Sequence, residues 1–144
     1  MVKHDTVRLL RECDAGAKMG VSGIEDVLDK VRDENFKNIL TESKNAHECL
    51  AEKITGKLRE FKDEGKDPPA IASAMSHIKT SMKLAVCSSD ATVADLMTDG
   101  CNMGVKSLSQ YLNKYEAADE ESKNLAKSLI KIERQLAADV ANYL

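Results

Sequence analysis

Apolar residues return every three or four positions along most of the chain, the spacing that places them on one face of an α-helix. The first stretch is the most regular, with Val7, Leu10, Asp14, Ala17, Val21, Ile24, Leu28 and Val31 forming a single seam. It predicts a helix capped by Asp5 and running to about residue 32, roughly 40 Å long at 1.5 Å per residue. Asp33-Glu34-Asn35 breaks the pattern and offers Asp33 as the cap of a second helix. The stripe of that helix is Phe36, Ile39, Leu40, Ala46, Leu50, Ile54, Leu58 and Phe61. So short a connection makes the two helices antiparallel.

The stretch from Lys62 to Pro69 reads as a linker, polar and free of apolar anchors, with Gly65 ending the second helix. From Ala70 the stripe Ile71, Met75, Ile78, Met82 and Ala85 predicts a further helix, and Cys87-Ser88-Ser89-Asp90 a break with a fresh cap. Ala94, Thr98, Cys101, Val105, Leu108, Leu112 and Tyr115 then form the next seam. The last helix starts near Asp119 and turns Leu125, Leu129, Ile132, Leu136, Val140 and Tyr143 inward. Its opening Asp119-Glu120-Glu121 sets negative charge at the positive end of the helix dipole.

The chain resembles itself. Shifted by 84 positions, Gly16, Met19, Gly20, Val21, Leu28 and Lys30 meet Gly100, Met103, Gly104, Val105, Leu112 and Lys114. Shifted by 86, Asp33, Glu34, Lys37, Asn38, Leu50 and Ala51 meet Asp119, Glu120, Lys123, Asn124, Leu136 and Ala137. The expectation is one domain over 1–144, all-α, an up-down bundle of two repeated antiparallel hairpins (5–61 and 91–144) joined by a long helical crossover (62–90). Gly16 and Gly20 lie on one helix face, and Gly100 and Gly104 repeat the arrangement. Each glycine costs about 1 kcal/mol in a helix interior relative to Ala, so a reason is needed. Close packing of the first helix on the third is the expected one, with a homodimer contact or room for a bound group as the alternatives.

Composition narrows the class of function. A net charge of −3 with Lys and Glu interspersed gives no basic stripe for nucleic acid. Apolar runs are too short to span a membrane, and the N-terminus lacks the apolar core of a secretory signal, so a cytoplasmic protein is expected. Cys13, Cys49, Cys87 and Cys101 are scattered without a Cys-x-x-Cys pair, which excludes a zinc knuckle and predicts reduced, mostly buried thiols. Met75, Met82, Met97 and Met103 read as core filling, His4 and His77 as exposed, and Tyr111, Tyr115 and Tyr143 as edge residues. No nucleophile–base pair or phosphate loop is present.

Two antiparallel hairpins joined by a long crossover resemble the ferritin-like superfamily, and among its members the small ferritin-like proteins of anaerobic and spore-forming bacteria. The resemblance is architectural and covers most of the chain. It implies a bundle in which two helices each give a Glu and two each give Glu-x-x-His to a pair of metals. This sequence has no Glu-x-x-His: Lys44 stands three before His47, and Glu133 occupies the place of His47 in the second hairpin. What remains is Asp14 inside a helix seam, with His47 and Glu133 beside the inward stripes, as candidates for a remnant metal or acid–base site. The plainer expectation pairs Asp14 with Lys53 and leaves His47 and Glu133 at the wet edge of the core, flanking Ala46 and Ile132. The expected function is therefore a non-catalytic bundle acting through self-association, as a homo-oligomer, or through a protein partner, with no cofactor. The alternative is a degenerate metal-binding or redox-linked member holding iron or manganese at Asp14, His47 and Glu133.

Overall fold

The computed structural model describes residues 2–63, 65 and 89–144. They form four long helices, α1 (Val2–Leu28), α2 (Glu34–Glu60), α3 (Asp90–Lys114) and α4 (Glu120–Val140), closed by a 3-10 turn at Ala141–Tyr143. No strand occurs among the described residues, and no helix among them is long and apolar enough to cross a membrane. The expected connection and helix between residues 66 and 88, with Met75, His77, Met82 and Cys87, lie outside the described residues.

Three of the helices begin where a short polar side chain can accept a backbone N–H left over in the first turn. Asp33 takes Phe36 N at 2.9 Å, Ser89 takes Thr92 N at 3.3 Å, and Asp119 takes Ser122 N at 2.8 Å. Asp5 is not a cap. Helix α1 begins earlier, at Val2, and Asp5 in its first turn instead accepts Ala117 N at 3.1 Å from the α3–α4 turn. Next to it the Thr6 hydroxyl accepts Asp119 N at 2.8 Å. At the other end of the bundle Asp90 does the same for the α1–α2 turn, taking Arg32 N at 2.8 Å and Asp33 N at 2.9 Å. Each tight turn is thus held by the first turn of a helix from the other hairpin.

Helix α2 stops without the glycine expected of it. Asp63 N reaches Leu58 O at 3.0 Å and Lys62 N reaches Arg59 O at 2.9 Å, a Schellman closure with Lys62 in the left-handed position at φ 56°. Gly65, the residue assigned that stop from sequence, lies beyond it at φ +90°.

Helix directions follow from which residues share a core. Leu9 and Leu10 of α1, Leu58 of α2, Leu108 and Tyr115 of α3, and Ala126 and Leu129 of α4 belong to one apolar cluster. Ile24 and Val27, Phe36 and Leu40, Val93 and Met97, and Leu136 and Val140 belong to a second. So α1 and α4 run one way, α2 and α3 the other, and residues 63 and 89 lie at opposite ends of the bundle. Helix α1 packs along α2 and α3 along α4, while α2 meets α4 and α1 meets both α3 and α4. Each fully buried Leu, Ile or Phe contributes about 1.5–3 kcal/mol relative to exposure.

The seams are rotated slightly from those read off the sequence. Cys13 and Val27 are buried where Val7 and Leu28 are only half-buried. Tyr115 belongs to the core rather than its edge, and Tyr143 stacks on Phe36 with ring centroids 4.4 Å apart. Met97 is core, but Met103 is 52% exposed.

Candidate functional site

Midway along the bundle the apolar core is interrupted. On α2, Leu40 and Leu50 belong to different clusters, and His47 lies between them; on α4, Glu133 separates Leu129 from Leu136 in the same way. Both polar residues are buried, His47 completely and Glu133 with 7% exposure, so neither sits at a wet edge. His47 rather than Ala46 takes the core position on α2.

His47 Nε2 lies 2.7 Å from Glu133 Oε1, and Nδ1 lies 2.7 Å from the carbonyl oxygen of Ser43, one turn earlier. A carbonyl only accepts, so Nδ1 carries a proton and donates it. Burial lowers the His47 pKa, but the hydrogen bond and charge of Glu133 and the Ser43 carbonyl outweigh it and raise the group above its ordinary 6.5. The raised pKa favours the imidazolium form, in which the ring donates from both nitrogens, one to the Glu133 carboxylate and one to the backbone. Cys101 of α3 is held beside it. Burial first, then the Glu133 charge and the hydrogen bond to that carboxylate, push its thiol up. Such a thiol stays protonated and is a poor nucleophile, metal ligand or redox centre. Cys13 is likewise buried and pushed up to about 12, while Cys49 is exposed.

Two glycines make room for this layer. A Cβ built on Gly20 of α1 would lie 2.6 Å from His47 Nε2 and closer still to its Cδ2. A Cβ on Gly104 of α3 would lie 3.5 Å from the Glu133 carboxylate. Gly16 faces Leu129 of α4 at 3.5 Å and Leu108 of α3 at 4.0 Å, and Gly100 and Gly23 face open space. Side chains rather than the facing backbone meet these glycines, so they do not serve a close backbone approach of α1 to α3. Gly20 admits an imidazole ring and Gly104 lies against a carboxylate, which is the physical reason periodicity alone could not supply.

Asp14 does not join them. It is 2% exposed and pairs with Lys18, one turn on in its own helix, at 2.9 Å, not with Lys53. Gly65 passes directly over its carboxylate, so close that a Cβ there would overlap Asp14 Oδ2. The three residues singled out from sequence thus split into a pair at mid-bundle and a separate acid under the chain leaving α2.

The donors do not fit a two-metal centre. Such a centre draws four carboxylates and two imidazoles from four helices, whereas this layer offers one of each and a protonated thiol. Among the described residues no group of three or more His, Cys, Asp or Glu side chains is arranged to hold a metal ion.

A further buried charge, which sequence reasoning missed, lies toward one end of the bundle. Lys57, 8% exposed, reaches Glu121 Oε2 at 2.7 Å and Asp119 Oδ2 at 3.2 Å, tying α2 to the start of α4. Its stem lies in the apolar stripe one position before Leu58, and a long aliphatic stem with a polar head at a bundle end is how a lysine is buried. A groove of about 370 Å³ on α4, lined by Lys127, Ile130, Lys131, Arg134, Gln135 and Ala138, includes neither His47 nor Glu133.

No family model, curated protein sequence or solved structure matches this chain.

Proposed function

We propose that this chain is a non-catalytic bundle of ferritin-like topology, in which a buried ion pair occupies the mid-bundle position that metals hold in metal-binding ferritin-like proteins. The observation that carries this reading is the closure of the His47–Glu133 pair. Both imidazole nitrogens are satisfied within the protein, at 2.7 Å each, and the ring is fully buried. A catalytic or metal-binding histidine needs one nitrogen turned to a substrate or an ion, with the other fixed by its neighbour. Here the nitrogen that would face an ion faces a carboxylate instead. Helix directions support the topology, since α2 and α3, successive described helices in chain order, run parallel, as a crossover between two antiparallel hairpins requires. With the interior closed, function falls to the surface, through association with a second copy or with a protein partner.

Metal analysis of the purified protein tests this directly. The expected result is no stoichiometric iron or manganese, and no rise in melting temperature when either metal is added. Iron or manganese near one per chain that disappears in His47→Ala would overturn the proposal.

A further inference from the structure

The polar layer does more than interrupt the core. Equivalent positions of the two hairpins, by the shifts of 84 and 86, carry equivalent contacts. Thr6 takes the N–H of Asp119, and its equivalent Asp90 takes the N–H of Asp33, the equivalent of Asp119. Gly20 lies against His47, and Gly104 against Glu133. Burial follows the same correspondence: Leu9 and Val93, Leu10 and Ala94, Ile24 and Leu108, Leu40 and Ala126, Leu50 and Leu136, and Ile54 and Val140 are buried in pairs. The helix directions agree, because a two-fold axis perpendicular to the bundle exchanges α1 with α3 and α2 with α4 and reverses each.

Under such an axis most equivalent residues are far apart. Leu40 lies in one apolar cluster, and its equivalent Ala126 in the other. At mid-bundle equivalents meet, and His47 and Glu133, which touch there, are unlike. We infer that this contact sits on an internal two-fold axis, and that its unlike partners select the pairing of one hairpin with the other over pairing of each hairpin with its own copy from a second chain. Two N-terminal hairpins packed together would bring His47 against His47, and two C-terminal hairpins would bring Glu133 against Glu133. In a dry interior like charges cannot both be held, so one partner must change its protonation and the charge that remains has no counter-charge. Apolar pairs elsewhere in the core are alike in both hairpins and discriminate far less. A single buried polar contact selecting among otherwise similar helical assemblies has precedent in coiled coils.

Two sets of full-length variants test the two halves of the inference. For equivalence, H47E and E133H each place like residues on the axis, and the double variant H47E/E133H restores an unlike pair with its sense reversed. The double variant is expected to recover at least half of the melting temperature lost by the single variants. A double variant as damaged as either single would show that the positions are not equivalent. For selection, H47L/E133L removes the discrimination and keeps the core filled. It is expected to melt no lower than the parent, yet to sediment with a larger share of dimers and higher species as concentration rises, because like-with-like pairing links two chains. H47Q/E133Q, read the same way, serves if the leucine variant does not fold. A sedimentation profile identical to the parent's across the concentration range would overturn the selection.

Discussion

Asp14 and Glu133 invite comparison, since both are acids in apolar seams and both are nearly buried, at 2% and 7% exposure. Asp14 is paired within its own helix, to Lys18 four residues on, whose side chain is 44% exposed. Glu133 is paired across the bundle, to a histidine 86 residues away that solvent does not reach. The first pair, to Lys18, is local and open to water on its lysine side, while Gly65 of the chain leaving α2 lies over the Asp14 carboxylate. The second exists only when α2 and α4 are docked. Burial of an acid therefore says little until its partner is known, and the partner's distance along the chain decides whether the contact reports on one helix or on the assembly.

The largest effect should come from breaking the long-range pair. Glu133→Ala leaves His47 and Cys101 facing a cavity without an acceptor, and unpairing a buried ion pair in this way costs about 3–5 kcal/mol. Urea unfolding followed by circular dichroism measures it. A loss under about 1 kcal/mol would mean that the layer is relaxed by water and that the contrast with Asp14 is false.

How much of this could be read from the residues depends on the kind of contact. The helices were legible because burial of one face imposes a period, and the caps Asp33 and Asp119 because short polar side chains precede the first turns they close. On α2 the ring could have been found as well. His47 lies seven residues after Leu40 and three before Leu50, a better helical spacing than that of Ala46. On α4 both Ile132 and Glu133 fit between Leu129 and Leu136, so spacing alone does not choose. The repeat sets Glu133 at the place of His47 and marks both as one candidate site, but their direct pairing without Asp14 is not legible, because no local rule fixes which positions on two helices touch. The same holds for Lys57, and for Asp5, which reads as a cap until the docking of another hairpin claims it.

The pH dependence sharpens the comparison next. His47 is raised above its ordinary value of 6.5, so its contribution to stability is fully present below that value and is lost as pH rises through the folded-state pKa. Each unit of such a shift corresponds to about 1.4 kcal/mol. The melting temperature should therefore fall as pH rises above the ordinary value of 6.5, and the fall should vanish in H47Q/E133Q. An unchanged slope in that variant would assign the dependence to other groups.

Glycine substitutions probe the same layer from its other side. Gly20→Ala sets a methyl group against an imidazole fixed by hydrogen bonds at both nitrogens, and overpacking of this kind costs about 1–3 kcal/mol. Gly100→Ala meets nothing within 4 Å and gains helix propensity, up to about 1 kcal/mol. Opposite signs are expected from thermal melts of the two variants. A Gly20→Ala protein that melts higher than the parent would show that the ring has room to move.

The smallest effect is expected where the local pair is cut. Lys18→Ala removes the ammonium that lies 2.9 Å from Asp14, but a side chain 44% exposed has given up little hydration to be there. Removing it also uncovers the carboxylate on the side the lysine had shielded, so water can take over part of the solvation. Exposed pairs four apart on one helix contribute about 0.3–0.5 kcal/mol, added salt weakens them further, and the open lysine side places this pair nearer to that range than to that of Glu133. Lys18→Ala should therefore shift the urea midpoint only slightly, and the difference from the parent should shrink at high salt. The Glu133→Ala loss should persist under the same salt, because its charges are shielded by protein rather than by solvent. If Lys18→Ala costs as much as Glu133→Ala, and salt leaves that cost untouched, then Asp14 is held as firmly as Glu133 and the distinction between a local and an assembling acid falls.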